Sequence, residues 1–190
     1  MASGEGSNFE ALVHACRNGD IPAEVVLLVV NRETCGALSR ATRLEIPTLV
    51  LDHRAVESRE ELDRRIAASF QQRGVDLVVM AGWMRIVTEV LIEAYPERLI
   101  NIHPSLLPSF RGARAIQQAL DAQVRLSGCT AHLVELEVDT GPILVQAAVP
   151  VLETDSAETL SERIHQQEHR ILPLAVQLAA ERLGLLESNS

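Results

Sequence analysis

Apolar and polar positions follow two alternating patterns along the first two thirds of the chain. Continuous apolar runs at residues 23–30, 47–51, 75–81 and 99–103 are typical of strands covered on both faces of a sheet. Segments with apolar residues at helical spacing flank and separate these runs, at residues 8–18, 36–44, 58–73, 88–95 and 114–122. This order predicts βαβ units, and therefore an α/β fold with a doubly wound, mostly parallel sheet.

The pattern changes in the last third of the chain. Residues 129–136 and 143–149 are two strand-like runs joined by a turn, which predicts an antiparallel pair at the far side of the sheet. Thr154 or Asp155 can cap a final helix over residues 156–183. Residues 187–190 are expected to fray. No repeat or linker interrupts the pattern, so we expect a single domain over residues 1–190.

The amino terminus lacks the strand that such a sheet needs at its centre. Only Met1, Ala2 and Ser3 precede the loop that begins at Gly4, and three residues are too few for a central strand. Its two neighbours would then lose backbone partners and leave an apolar slot. The first strand is therefore expected to be missing. Three explanations are open: the chain start is placed too late, the fold closes the gap in another way, or the chain has lost stability and activity.

Composition narrows the location and the partners. The 190 residues are 47% hydrophobic, which is enough for a full core, and carry a formal charge of −9, which argues against nucleic acid or an anionic membrane as partner. The 3 cysteines are widely spaced and fit a reduced protein rather than a disulfide scaffold. With no recognisable signal peptide or membrane-spanning run, we expect a cytoplasmic protein, monomeric or homodimeric, with small-molecule substrates.

Three polar residues at predicted strand ends indicate a catalytic site. Pro104 cannot donate to a sheet ladder, so the fourth strand should end with His103 at its tip. Asp139 could orient this imidazole, and the Asn101 amide offers two donors to an oxygen that gains negative charge. Together they suit attack on a carbonyl, although each alone is more often a structural residue. For His132, a role beside the site and a buried structural hydrogen bond are both open.

The loop from Gly4 to Asn8 is a second candidate site. It leads directly into a predicted helix, whose free backbone N–H groups and positive end would face a phosphate. An ordinary helix cap is the competing interpretation, because small turns of this composition are common.

A third motif suggests a different class of protein. His165, Glu168 and His169 match the H-x-x-E-H pattern of inverted zinc metallopeptidases, in which two histidines on one helix face bind zinc and the glutamate acts as base. The pattern is short and no third ligand is marked. Solvent-facing residues on a long helix are therefore the stronger interpretation, and zinc remains a remote alternative.

Five segments occur in a characteristic order: residues 4–8, 81–86, 101–108, 139–142 and 167–169. Together they resemble the phosphoribosylglycinamide formyltransferases (GAR transformylases) of the formyltransferase superfamily, which are folate-dependent enzymes of purine synthesis. The resemblance covers nearly the whole chain. It implies a Rossmann-like formyltransferase fold, 10-formyltetrahydrofolate as co-substrate and no metal.

The resemblance also implies roles for individual residues. His103 would be the proton donor, Asp139 would hold it and raise its pKa, and Asn101 would bind the formyl oxygen as it becomes an oxyanion. The residues implied at the glycinamide ribonucleotide site are Gly6, Ser7, Asn8, His165, Gln166, Gln167 and Glu168. Those implied at the folate site are Arg59, Met84, Arg85, Ile86, Val87, Asn101, Glu135, Leu136, Glu137, Val138 and Asp139.

The chain departs from this family's pattern after Pro108. The family has Pro-Gly there, often followed by His, whereas this chain has Phe110-Arg111-Gly112, a sequence similar to the methionyl-tRNA formyltransferase branch. The acidic charge and the lack of a further domain argue against that branch. A formyltetrahydrofolate hydrolase, in which water replaces the amine at the same site, is the nearer alternative.

Overall fold

The computed structural model describes residues 1–186, in which helices alternate with strands as the apolar pattern predicts. The helices are α1 (Ser7–Asn18), α2 (Gly36–Arg43), α3 (Arg59–Gln71), α4 (Glu89–Ala94), α5 (Ala115–Asp121) and α6 (Ala157–Arg182). The strands are β1 (Leu28–Val30), β2 (Thr48–Val50), β3 (Val78–Met80), β4 (Leu99–His103), β5 (Leu126–Leu133) and β6 (Ile143–Pro150). Residues 187–190, which were expected to fray, lie outside the described residues.

Successive strand residues belong to two different apolar clusters. In β1, Leu28 and Val30 pack with residues of α1, α2 and α6, whereas Val29 packs with residues of α3 and α4. In β4, Ile100 belongs to the first cluster and Leu99 to the second. Because the side chains of a strand alternate between the faces of a sheet, the two clusters lie on opposite faces, each covered by helices. The predicted doubly wound α/β fold is confirmed.

The named strands form two blocks. β1 and β2 pair in parallel, and the second block has the order β3-β4-β5-β6. Within it β3 and β4 are parallel, while β4 with β5 and β5 with β6 are antiparallel. The antiparallel pair predicted near the carboxyl-terminal part is therefore confirmed.

Residues 1–3 join the two blocks. On one side Ala2 pairs in parallel with Val30, and its N–H donates to the Val29 carbonyl over 3.0 Å. On the other side Ala81 N–H donates to the Met1 carbonyl (2.9 Å), and the Met1 ammonium donates to the Val79 carbonyl (2.6 Å). As predicted, no regular strand precedes α1 in the described residues, but this three-residue segment supplies backbone partners at the carboxyl ends of β1 and β3.

The predicted slot is present only at the opposite ends of these strands. A cavity of about 440 Å³ lies against Met1 and is lined by residues 23–28 and 75–79. The apolar runs predicted strands from residues 23 and 75, yet β1 begins at Leu28 and β3 at Val78. In the described part of the chain no segment lies between residues 23–27 and 75–77 to pair with them. Regular strand structure in β1 and β3 therefore begins only beside residues 1–3, which supply backbone partners.

Two further boundaries differ from the predicted ones. Ser156, not Thr154 or Asp155, caps α6, because its hydroxyl accepts from Thr159 N–H while Asp155 pairs with the guanidinium of Arg163. β5 begins and ends three residues earlier than predicted, since the chain leaves the sheet after Leu133. No helix within residues 1–186 is long and apolar enough to cross a membrane.

The Met1 ammonium predicts a pH dependence of stability for a chain that begins at Met1. Burial lowers the pKa of this group from 8.0 to about 5, so between these values the unfolded chain binds the proton that the folded chain excludes. Stability should therefore rise as the pH increases from 5 to 8, by about 4 kcal/mol at about 1.4 kcal/mol for each pH unit. Urea unfolding across this pH range measures the change. Amino-terminal acetylation, which removes the charge, is the matched control, and equal slopes with and without the acetyl group would contradict the prediction.

Candidate active site

Neighbouring strands present four polar side chains on one face of the sheet. The antiparallel register of β4 and β5 places Asn101 opposite His132, and His103 opposite Thr130. Ile102, which lies between the two polar residues of β4, points to the other face and packs in the core. Because side chains alternate between the two faces of each strand, the predicted residues Asn101 and His103 lie on the same face as His132 and Thr130 of β5.

Asp139 reaches this group from the connection between β5 and β6. Its Oδ2 lies 3.2 Å from Nδ1 of His103 and accepts a hydrogen bond from Gly112 N–H over 2.8 Å. Its Oδ1 lies 3.5 Å from Nε2 of His132. The side chains of His103 and Asp139 are each only 7% exposed. The structure therefore brings together the three residues predicted for chemistry.

The surroundings of Asp139 keep it ionised. Burial by itself raises the pKa of this carboxyl, but the contact with His132, the hydrogen bond from Gly112 and the nearby His103 outweigh burial, so the pKa lies below its usual range. Asp139 also has a φ of +56°, a left-handed conformation that Asp tolerates better than most residues. A charged acceptor is thus fixed between two imidazole rings.

His103 has a hydrogen-bond acceptor at each ring nitrogen. Nδ1 faces the Asp139 carboxylate, and Nε2 lies 2.8 Å from the carbonyl oxygen of Phe110. Each ring nitrogen therefore faces an oxygen that can accept a hydrogen bond from it. Sequence reasoning missed the Phe110 carbonyl and the Gly112 N–H, because backbone groups leave no side-chain signal.

Thr130 supports the segment that follows His103. Its hydroxyl donates to the Ser105 carbonyl over 2.7 Å and accepts from Leu107 N–H over 3.1 Å. The Gln146 side chain of β6 donates to the same oxygen over 2.9 Å and to the Leu107 carbonyl over 3.0 Å. With both of its roles used in this way, Thr130 holds the wall of the site rather than taking part in chemistry.

Asn101 and His132 contact each other directly. Asn101 Nδ2 lies 3.2 Å from Nε2 of His132 and 3.4 Å from Oδ1 of Asp139. The other nitrogen of His132, Nδ1, lies 2.7 Å from the Leu133 carbonyl oxygen. His132 is 2% exposed, so its hydrogen bond to Leu133 is buried. Its ring also contacts Asn101, which is a predicted catalytic residue. The structure is therefore compatible with both interpretations that the sequence left open.

The loop from Gly4 to Asn8 is packed tightly against α2. Ala37 N–H donates to the Gly4 carbonyl over 3.1 Å, and Gly6 at the N-cap of α1 has a φ of +77°. A Cβ at Gly6 would lie 2.7 Å from the Cβ of Ala37. The first backbone N–H groups of α1 have no partner inside the helix, so they are available to donate to a ligand or solvent.

Asn8 connects this loop to α6. Its Nδ2 donates to Oε2 of Glu168 over 2.7 Å, and both side chains are buried. His165, one turn earlier on α6, is exposed and its Nε2 lies 3.8 Å from the same carboxylate oxygen. The structure thus joins two groups of residues predicted for the acceptor substrate, from opposite ends of the chain. Within residues 1–186 no recorded polar contact joins them to His103.

The residues predicted for the folate lie on three separate segments. Met84 and Ile86, after β3, are 79% and 54% exposed, and residues 135–138, before Asp139, are also exposed. Arg59 is exposed at the start of α3. Val87 differs from these because its side chain is buried beside Trp83 in the cluster with α3 and α4, so it can support this surface but not line it.

The residues of the zinc motif, His165, Glu168 and His169, are not arranged around a common point. The Glu168 carboxylate is engaged by Asn8, and Nε2 of His169 is buried without a partner in residues 1–186. Burial lowers the pKa of His169. Within the described residues no group of three or more His, Cys, Asp and Glu side chains is arranged to hold a metal ion.

Comparison with known proteins identifies the family. The model of the formyl transferase family matches residues 1–176. Phosphoribosylglycinamide formyltransferase of Bacillus subtilis is 38% identical over 185 residues, which cover 97% of this chain and 93% of that protein. The chain belongs to the phosphoribosylglycinamide formyltransferase family. Its members include a solved structure, glycinamide ribonucleotide transformylase 1 from Symbiobacterium toebii, which is 46% identical with a TM-score of 0.93 and covers 95% of this chain and 85% of that one.

Longer proteins also contain a unit similar to this chain. The trifunctional purine biosynthetic protein adenosine-3 of Gallus gallus is 44% identical over 180 residues, which cover 95% of this chain. The chain spans 18% of the length of that relative. The family predicted from the five sequence segments is confirmed by these comparisons.

The packing of Gly6 predicts a strong effect of one added methyl group. In Gly6→Ala the new Cβ would meet Ala37 while the backbone keeps its left-handed φ, so we expect a loss of about 1–3 kcal/mol in the free energy of unfolding. Gly4→Ala is the matched control, because a Cβ there has no neighbour within 4 Å. Urea unfolding of both variants measures the difference. Equal stabilities would show that Gly6 is not required for this packing.

Proposed function

We propose that this formyltransferase transfers a formyl group from 10-formyltetrahydrofolate to the amine of glycinamide ribonucleotide, as a step of purine biosynthesis in the cytoplasm. The observation that carries the proposal is the contact between His103 and Asp139, beside the half-buried amide of Asn101. It supplies a proton donor, an anion that stabilises it and an amide within one enclosed group. These are the groups that acyl transfer to an amine requires.

The reaction we propose is a direct transfer. The acceptor amine attacks the formyl carbon, a carbon–nitrogen bond forms, and the formyl oxygen becomes an oxyanion that accepts a hydrogen bond from Asn101. The bond between the formyl carbon and N10 of the folate then breaks. N10 takes a proton from His103, and the proton lost by the attacking amine restores the imidazolium. The products are the formylated amine and tetrahydrofolate.

The two ring nitrogens of His103 have different proposed roles, one in the contact with Asp139 and the other in proton donation to the substrate. Asp139 occupies Nδ1, so Nε2 is the atom that can give its proton to the leaving group. In the structure this proton is directed to the Phe110 carbonyl, 2.8 Å away. Donation therefore requires the substrate nitrogen to take the place of that carbonyl as the acceptor at Nε2.

The two substrates have candidate sites on different segments. We assign the phosphate of the acceptor to Gly6, Ser7 and Asn8 and its ribose and amine to Glu168 with residues 165–167, on the basis of the Asn8–Glu168 hydrogen bond. We assign the folate to Met84, Arg85 and Ile86, with Arg59 and residues 135–138, on the basis of the exposed apolar side chains of Met84, Ile86, Leu136 and Val138. Val87 would support that wall from the core.

Two effects of these groups would lower the activation barrier of the transfer. Holding two substrates in contact can remove roughly 7–11 kcal/mol of barrier in favourable cases. One donor to a developing oxyanion contributes roughly 2.7–4 kcal/mol. The chemistry needs no covalent enzyme intermediate and no metal.

The dependence on the amine separates a transferase from a hydrolase. With purified protein and 10-formyltetrahydrofolate, we expect tetrahydrofolate to be released only when glycinamide ribonucleotide is added, because the amine is the nucleophile. Absorbance of the folate follows the release. Release at the same rate without the amine would identify water as the nucleophile and replace the transferase with the hydrolase.

Variants of the ion pair test the assignment of the chemistry. We expect His103→Ala and Asp139→Asn each to lower kcat by about 100- to 10,000-fold, because one removes the proton donor and the other removes the anion that holds it. His14→Ala is the control, since His14 is an exposed residue of α1. Steady-state kinetics on folded protein gives the comparison. Near-normal kcat in either site variant would end the assignment.

A further inference from the structure

The orientation of the Asn101 amide conflicts with its proposed role. Its Nδ2 lies 3.2 Å from His132 Nε2 and 3.4 Å from Asp139 Oδ1, so both amide hydrogens are directed at groups of the protein. The amide oxygen is then the atom turned away from them. A carbonyl oxygen facing the formyl oxygen would repel its developing charge. Donation to that oxygen requires the opposite orientation, with Oδ1 against His132 and Nδ2 turned away.

His132 decides which orientation is stable. Its Nδ1 lies 2.7 Å from the Leu133 carbonyl oxygen, which only accepts, so Nδ1 carries a proton in every state. A neutral ring therefore has its lone pair at Nε2 and accepts a hydrogen bond from Asn101 Nδ2. A ring that is also protonated at Nε2 becomes a donor there, and of the two polar atoms of the Asn101 amide only the oxygen can accept from it.

We propose that His132 is a positioning residue, and that a proton on its Nε2 turns the Asn101 amide so that Nδ2 faces the formyl oxygen. The inference rests on the proposed function, which assigns the oxyanion contact to Asn101. His132 itself does not touch the substrate. It acts through the amide, and its protonated state is the one competent for transfer.

The charged groups around His132 make this state accessible inside the protein. Asp139 Oδ1 lies 3.5 Å from Nε2 and supplies the compensating negative charge. His103 of β4 lies on the far side of the same carboxylate, with its Nδ1 at 3.2 Å from Oδ2. From β6, the strand on the other side, Ile143 pairs with His132, and no charged contact to the ring is recorded from it in residues 1–186. One carboxylate thus faces both imidazole rings.

A double-mutant comparison tests whether His132 acts through Asn101. We expect Asn101→Ala and His132→Phe each to lower kcat by about 100- to 1000-fold, the loss found when one oxyanion donor is removed. In the Asn101→Ala background His132→Phe should cost nothing more, whereas a structural role would add a further loss. Such an added loss, or a His132→Phe enzyme with normal kcat, would overturn the proposal. Normal kcat in Asn101→Ala would instead overturn the oxyanion role within the proposed function.

The pH profile supplies a readout that a structural role does not move. His132→Gln has an amide that can donate to Asn101 at every pH, so it should retain more activity than His132→Phe. Wild-type kcat should fall as the pH rises because both His103 and His132 lose a proton, whereas in His132→Gln only the loss of the His103 proton should remain in the profile. Identical pH profiles for the two proteins would contradict the proposal.

A spectroscopic measurement tests the protonation directly, and it does not depend on turnover. With histidine labelled by nitrogen-15, the NMR shifts of the ring nitrogens of His132 report which of them carries a proton. We expect Nε2 to be protonated when 10-formyltetrahydrofolate is bound without the amine. An unprotonated Nε2 in that complex, together with a large loss of kcat in Asn101→Ala, would refute the role of His132 and leave the proposed function standing.

Discussion

The carboxylate of Asp139 connects three segments that are far apart in the sequence. It faces His103 of β4 through one oxygen and His132 of β5 through the other, and it also accepts the backbone N–H of Gly112. A buried charge is costly unless it is paired and hydrogen-bonded, and these partners hold the pKa of Asp139 below its usual range. The position of the His103 ring, a contact of the Asn101 amide and the path of the loop at Gly112 all involve this one group.

The sheet makes this arrangement rigid. Antiparallel pairing of β4 with β5 fixes Asn101 opposite His132 and His103 opposite Thr130, while Thr130 fixes the segment that follows His103. Further along the same sheet, residues 1–3 hydrogen-bond to both β1 and the end of β3. The cavity lies at the amino ends of those strands, whereas His103 is the last residue of β4. This cavity therefore lies at the edge of the sheet away from His103.

Much of the fold was predictable, because the signals are local. Continuous apolar runs and helical spacing located nearly all elements, and Ser58 caps α3 as its sequence indicates. The errors arose where a neighbour decides the outcome. Residues 23–27 are apolar but do not form a strand because no partner lies beside them in the described chain, and Ser156 caps α6 because Asp155 is taken by Arg163. Val87 has the composition of a pocket wall, yet it is packed in the core.

The sequence by itself determined the α/β class, the family and the three residue types that suit formyl transfer, since each depends on which residues are present and in what order. Only the tertiary structure decided that Asp139 faces two histidines, that a backbone carbonyl faces Nε2 of His103, and that Asn101 points its amide nitrogen at His132. The physical reason is that hydrogen-bond direction depends on the relative placement of donors and acceptors from distant segments. Backbone groups take part in that placement without leaving any mark in the order of side chains.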